Sequence, residues 1–441
     1  MLSDLLAARL LMGVSLGFHI AFAVTGMAMP VFLLVAELAH RRTGHPAWAE
    51  LAHRWAKGTA ILFAVGAVSG TVLSFELGML WPELAARAGS LMGAPFVLEG
   101  FAFFLEAIFL GLYLYGKGRI SDTARIFAVA GIAVSGLASG VLVVAVNALM
   151  QSPTPEALAV ILEGADPTNA FEAFRSPSFP HQAAHTALST YVAVSFLMLG
   201  IHAHCLLRTP KSGLHRRAFR TALTVACIAT PLQFVSGDLS AQFLAEDQPV
   251  KFAAMEAHYH TASGVGLHLG GFPDDEARTV KGAVTLPYLL SLITHHDPQA
   301  EIPGLVDLAP EEDWPNVALT HWSFQVMVGA GSAMMLLAGV GALLAWRGRA
   351  LPLAPRFLWA AKLTAPLGLI AVEAGWCTTE IGRQPWIVRG ALRTSEAVTS
   401  QSHVWAPLLA FSTLYAALGA ATFWLLRQHV FAAPTFVEEQ P

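Results

Sequence analysis

Charge is scarce in this sequence. Asp, Glu, Lys and Arg supply 13% of its 441 residues, about half the ~25% of a typical soluble domain. That deficit excludes a disordered chain, which stays unfolded by being polar and charged. It also excludes a string of soluble domains at the usual ~150 residues each. Basic residues are not in excess, since 26 Lys and Arg face 30 Asp and Glu for a net charge of −4. A nucleic-acid partner needs a clustered basic footprint, so none is expected. Cysteine is nearly missing. Cys205, Cys227 and Cys377 cannot build a disulfide framework. They fall in three different apolar stretches, and each reads as a small buried hydrophobe. The sequence also holds no Walker loop or CxxC pair, two usual marks of soluble enzymes.

What is abundant is apolar surface, at 55% of residues. About 20 apolar residues cross a bilayer as a helix. Nine stretches meet that length, at 11–39, 58–80, 96–116, 126–149, 183–207, 219–244, 317–346, 357–380 and 402–426. The fold class is therefore an all-α, multi-pass integral membrane protein, one nine-helix transmembrane domain over residues 1–441. The opening MLSDLL carries no basic leader, so the first span is expected to be retained.

Basic residues orient the spans, because they gather in cytoplasmic loops. Arg41, Arg42, Arg54, Lys57, Lys117, Arg119, Arg125, Arg208, Lys211, Arg216, Arg217, Arg220, Arg347, Arg349, Arg356 and Arg427 follow odd-numbered spans. The other loops hold half as many. The N-terminus is thus expected outside (periplasmic) and the C-terminus in the cytoplasm. Trp48, Trp55, Trp346 and Trp359 are expected to mark the inner interface. Trp81, Trp314, Trp322, Trp376 and Trp386 are expected to mark the outer one. One loop is long. Residues 245–316, between spans 6 and 7, lie outside and read as polar and irregular, and a structureless loop of that length is usually functional or disordered.

Ionisable groups inside the spans cost ~2.5–3.5 kcal/mol each on insertion scales, so each needs a reason. His19, Glu99, Glu106, His185, Glu373 and Glu380 are such groups, with Arg383 one turn past Glu380. Glu99 and Glu106, like Glu373 and Glu380, are seven residues apart and share a helix face. Such groups facing a bundle interior read as a cofactor site or a proton path. Imidazole suits iron, and a His/Met pair such as His185 with Met327 is a standard haem axial set. Apolar depth places both in the outer halves of their spans. Ser139 and Glu106, from adjacent spans, come to nearly the same depth. Histidines elsewhere, among them His202, His258, His260, His295, His296 and His321, read as solvated or interfacial.

These residues resemble a known family, subunit I of the cytochrome bd-type quinol oxidases. The resemblance rests on GRQPW at 382–386, preceded by VEAGW at 372–376. It continues in chain order through ARL with His19 ten residues after Arg9, APFVLEGFAFFLE at 94–106, VNALMQSP at 146–153 and AHTALSTY at 184–191. KFAAMEA at 251–257 and FQVMVGAG at 324–331 complete it. The resemblance implies a haem-containing subunit of a terminal respiratory oxidase in the bacterial cytoplasmic (inner) membrane. Quinol would be oxidised at the outer face and oxygen reduced to water with cytoplasmic protons, generating proton motive force without pumping. It implies His185 and Met327 as ligands of a low-spin haem b. His19 and Glu380 would hold a high-spin haem b and a haem d, or a second haem b in place of the latter, with Glu373 the alternative to Glu380. Glu99 would lie beside the haems, Glu106 and Ser139 in a proton path, Asn147 near the haems, and Arg383 against haem or carboxylate charge. Lys251 and Glu256 would bind quinol in the outer loop, the family's Q-loop. Gln325 stands where many members carry arginine, and its neutrality would lower the low-spin haem's potential. With the short Q-loop, it resembles the cyanide-insensitive branch. The implied partners are a second large subunit, a small single-helix subunit, quinol, oxygen and membrane lipid. A proton-coupled transporter is the rival reading of the buried glutamates.

Overall fold

The computed structural model describes residues 3–116 and 118–431, so Lys117 lies outside the described residues. In chain order the helices are α1 (Asp4–Thr43), α2 (Pro46–Leu80), α3 (Pro82–Tyr115), α4 (Asp122–Gln151), the short α5 (Pro155–Glu163), α6 (Phe179–Arg208) and α7 (Gly213–Asp247). Then come the short α8 (Pro249–Glu256), α9 (Leu289–His295) and α10 (Leu305–Leu308). The last are α11 (Val317–Gly348), α12 (Pro355–Leu363), α13 (Leu367–Ile381), α14 (Thr394–Ala397) and α15 (Trp405–Leu426). Among the described residues nine segments are long and apolar enough to cross a membrane. Each coincides with an expected span, and several overrun it; α2 starts at Pro46 rather than residue 58.

Local chemistry sets the ends. Ser3, Ser121, Thr154, Ser212 and Asn316 each accept a main-chain N–H three residues on, capping α1, α4, α5, α7 and α11. Proline opens α2, α3, α5, α8 and α12, where its missing N–H goes unmissed. The eighth span departs from expectation. It is two helices, α12 and α13, broken at 364–366. Pro366 cannot donate into a helix and pushes the residue before it out of helical conformation.

The segment between α7 and α11 is not structureless. After α8 it forms three short antiparallel ribbons, pairing 262–263 with 301–302, 267–269 with 284–286 and 272–274 with 279–281. Gly270 and Gly271 turn between ribbons at φ of 64° and 92°, a left-handed conformation that favours glycine.

Trp55 and Trp81, expected at the two interfaces, are buried against neighbouring helices. Trp55 meets Phe32 and His202 edge-on. Trp346 and Trp359 are exposed, as an interfacial belt requires. The three cysteines are free, and each is half-buried.

The apolar core divides into two main clusters. One surrounds Phe32, Phe196 and Phe219 at the basic end of the bundle. The other surrounds Leu11, Leu84, Leu91 and Leu149 at the end carrying the long loop. Between them, Leu16 to Ala23 of α1 include no fully buried residue, and neither do Leu369 to Cys377 of α13. The two stretches meet where the Glu373 carboxylate of α13 reaches Gly17 of α1. The polar residues gather there.

Candidate functional site

His19 belongs to the α1 stretch. Its Nδ1 lies 3.0 Å from Ser69 Oγ on α2. The Ser69 hydroxyl itself donates to the Val65 carbonyl at 3.0 Å, so its oxygen accepts the Nδ1 proton. That tautomer leaves a bare lone pair on His19 Nε2, the ligating state of an imidazole whose other nitrogen is held by a partner. Gly70 makes the room, because a Cβ there would stand 3.0 Å from the His19 ring. His185 on α6 repeats the device. Its Nδ1 lies 3.2 Å from Ser236 Oγ on α7, and the Gln233 amide donates to Nε2 at 2.9 Å. Sequence reading passed over Ser69, Ser236 and Gln233, since polar residues of this size in spans carry no distinctive spacing.

Met327 on α11 faces Gly375 of α13, where a Cβ would come 2.7 Å from its sulfur. The glycine of VEAGW thus seats the thioether. His185 faces α7 and Met327 faces α13, so they approach the interior from different sides.

Glu380 and Glu373 are treated differently. Both oxygens of Glu380 are engaged, one by Asn147 Nδ2 at 2.5 Å and the other by Arg383 at 2.5 Å. Glu373 reaches α1 instead; a Cβ on Gly17 would lie 3.4 Å from its carboxylate. Arg383 is buried, yet its Nε and Nη1 have no partner among the described residues.

Glu99, Glu106 and Tyr113 stand seven residues apart on one face of α3. Glu106 is buried against Gly136 of α4, where a Cβ would touch its carboxyl at 3.1 Å. Ser139 donates to Glu99 at 3.1 Å, not to Glu106 as depth counting placed it. The helices overrun their apolar stretches unequally, and the register slides by about a turn. Tyr113 donates to Glu37, which also accepts from Arg125 at 2.7 Å. This trio sits at helix ends, where sequence reading took the bases for topology signals only.

The long loop closes the site at its own end. Lys251 on α8 is buried and donates to Gln151, with its stem on Gly382. Burial, and then the charge of Arg383, push its ammonium down to about 7. Glu256 is also buried, and burial alone pushes its carboxyl up to about 8. Its Oε2 has no partner among the described residues. Five residues apart, the two leave α8 about 140° apart, so they do not form a pair. The Gln325 amide bridges the loop's main chain, accepting from Gly270 N at 3.1 Å and donating to His268 O at 2.9 Å. His321 is fully buried, not interfacial. Its ring nitrogens face Met255 O at 2.8 Å and Gly270 O at 3.1 Å. His258 is likewise buried rather than solvated, against Ile302 O at 3.0 Å. His202 is buried too, with its Nδ1 3.1 Å from that of His215.

A bundle of membrane-crossing helices that turns imidazoles, a thioether and carboxylates inward defines a cofactor-bearing integral membrane protein. Comparison with known proteins makes the class specific. The chain belongs to the cytochrome bd terminal oxidase subunit I family, which matches residues 7–434. It is 35% identical over 432 residues to a putative cytochrome bd menaquinol oxidase subunit I of Bacillus subtilis, covering 96% of each chain. It is 26% identical to the cytochrome bd-II ubiquinol oxidase subunit 1 of Escherichia coli, again covering 96% of each. The solved bd oxidase of Geobacillus thermodenitrificans superposes with a TM-score of 0.89 at 33% identity, over 98% of this chain and 99% of that one.

Membership implies haem, and the residues present fit it. Two half-buried histidines carry bare or singly engaged Nε2 atoms. Gly70 and Gly375 leave room beside His19 and Met327. The unpaired donors of Arg383 suit an anionic edge such as a haem carboxylate.

Proposed function

We propose that this chain is the haem-bearing subunit of a respiratory quinol oxidase of the bacterial inner membrane, with its N-terminus and long loop outside. On this reading His185 and Met327 hold a low-spin haem b, while His19 and Glu380 hold the other two, a high-spin haem b and a haem d or second haem b. When bound, the haems supply one-electron transfer and the binding of oxygen. The protein's own residues do the rest. Glu256 takes a proton from the quinol hydroxyl as general base and releases it outside. Lys251 ties the quinol helix α8 to the Glu380–Arg383 turn beneath it. Asn147 and Arg383 fix Glu380 at both oxygens, as the outer partners of a ligating carboxylate do. Glu106, Glu99 and Ser139 pass cytoplasmic protons along the shared face of α3 and α4. The unlike sources of the two sets of protons make turnover electrogenic without pumping. A second large subunit, and a small single-helix one, complete the enzyme.

The observation that carries this reading is the repeated Ser–His arrangement at His19 and His185, which orients both rings; it leaves Nε2 free at His19, while at His185 iron would take the place of the Gln233 amide. The test is a visible spectrum of the purified protein with its partner, recorded with quinol-driven oxygen uptake. Haem bands and uptake are expected. Proton-coupled solute uptake without haem bands would sink the proposal in favour of a transporter.

A further inference from the structure

One buried carboxylate has no part in the reading above. Glu76 lies near the loop end of α2 and is fully buried. Both of its oxygens lack a hydrogen-bond partner among the described residues, and so do Ser15 Oγ and Tyr415 Oη. The three belong together, because the Ser15 hydroxyl is near enough to interact with both the Glu76 carboxylate and the Tyr415 hydroxyl, although none of them closes a hydrogen bond of ordinary length and angle on another. Ser15 is fully buried on α1 and Tyr415 is buried on α15. Phe18 stacks on the Tyr415 ring at 4.7 Å and walls the cluster on one side. Four unpartnered polar atoms in one apolar place call for a ligand that both donates and accepts, and water is the one that reaches such sites.

The cluster adjoins the His19 site on two helices at once. Ser15 is four residues from His19 on α1, about 6 Å along the axis. Glu76 is seven residues, two turns, from Ser69, the residue that holds His19. Few other titratable groups face it. α1 has only His19 between Arg9 and Glu37, α2 has none between Lys57 and Glu76, and α15 has only Tyr415. Glu373 of α13 reaches α1 at Gly17.

We infer that Ser15, Glu76 and Tyr415 enclose a hydrated, proton-holding site on the loop side of His19, in which Glu76 takes up a proton when an electron reaches the cofactor there. The inference rests on His19 as a haem ligand for its trigger. An electron added inside a membrane is stabilised by a positive charge arriving nearby. The electron comes from quinol. A hydronium carried on the enclosed water gives its proton to one Glu76 oxygen, forming the O–H bond of a carboxylic acid and leaving neutral water. Ser15 and Tyr415 hold that water and donate to the other carboxylate oxygen.

The test is a reduced-minus-oxidised infrared difference spectrum of the holoenzyme, with the visible haem bands followed in the same cell. Wild type should show a carboxylic C=O band on reduction that moves in D2O and is lost in Glu76→Gln. The other membrane carboxylates give bands of their own, so the Glu76 component is the difference between the two proteins. Ser15→Ala and Tyr415→Phe should shift that component without removing it, which keeps the test available should Glu76→Gln fail to assemble. Normal haem reduction with one carboxyl region common to wild type and all variants would overturn this inference alone. Absence of any haem change would refute the proposed function together with it.

Discussion

Glu256 closes α8 as a buried carboxyl pushed up to about 8, while Lys251 at the other end of the helix is pushed down to about 7. A base at Glu256 works only when ionised, so quinol oxidation should gain as pH rises through 8. Lys251 is charged only below about 7, so any contribution of its ammonium is lost as pH rises. The product of the two is a bell with its maximum between 7 and 8. Glu256→Gln should cut quinol oxidation by about one to three orders of magnitude and erase the acidic limb, with all haem bands retained. A wild-type pH profile in that variant would remove Glu256 from the reaction. Gln325 is the second residue-scale case. An arginine there adds a charge near Met327, worth about a few kcal/mol at most at an effective dielectric of ~20. The low-spin haem potential should therefore rise in Gln325→Arg. The same change removes the acceptor for Gly270 N, so the quinol KM should rise with it. A redox titration showing no change or a fall would refute the electrostatic part. The sequence exposed Gln325 as a departure from the family pattern. It could not expose the partners, since those are main-chain atoms of a loop whose path sequence leaves open.

At the scale of elements, long apolar helices were legible because length and hydropathy alone define them. Their ends were not, since caps at Ser3, Ser121 and Asn316 lie in polar flanks that extend each helix past its apolar stretch. The loop between α7 and α11 was least legible. Its ribbons are two or three residues long, too short for alternation to register, and its helix α8, at eight residues, is too short to be stable or legible alone despite good helix formers. The approach of α11 to α13 makes an element-scale prediction. Gly375 lets Met327 lie against α13, and a side chain there must displace the thioether, since a Cβ alone would stand 2.7 Å from the sulfur. Gly375→Val should weaken or abolish the six-coordinate low-spin spectrum, as Met327→Leu and His185→Ala should do directly. Carbon monoxide binding at the other haems should survive in all three. A low-spin band of wild-type shape and intensity in Gly375→Val would show that Met327 is packing and not a ligand.

For the whole molecule, orientation and chemistry meet in one measurable quantity. Sixteen of 26 basic residues follow odd-numbered spans, and on the orientation proposed from that bias the long loop and Glu256 lie outside. Glu37, Tyr113 and Arg125 lie at the opposite, basic end, and Glu106 two turns deeper on the face of Tyr113. On the proposed function, protons for oxygen reduction would rise from the inside past Glu106, while quinol protons would leave outside. Each electron used is matched by about one charge moved across the membrane, and a charge crossing 100 mV stores ~2.3 kcal/mol. In proteoliposomes, quinol should generate a potential negative on the side of the basic loops. Glu106→Gln keeps the shape beside Gly136 but cannot carry a proton. It should lose oxygen uptake and potential together, while quinol still reduces the low-spin haem. Were Glu106 packing only, the variant would generate the wild-type potential. Were both sets of protons drawn from one side, wild type would consume oxygen with no potential at all, and the assigned topology of loop and proton path would fall with that result.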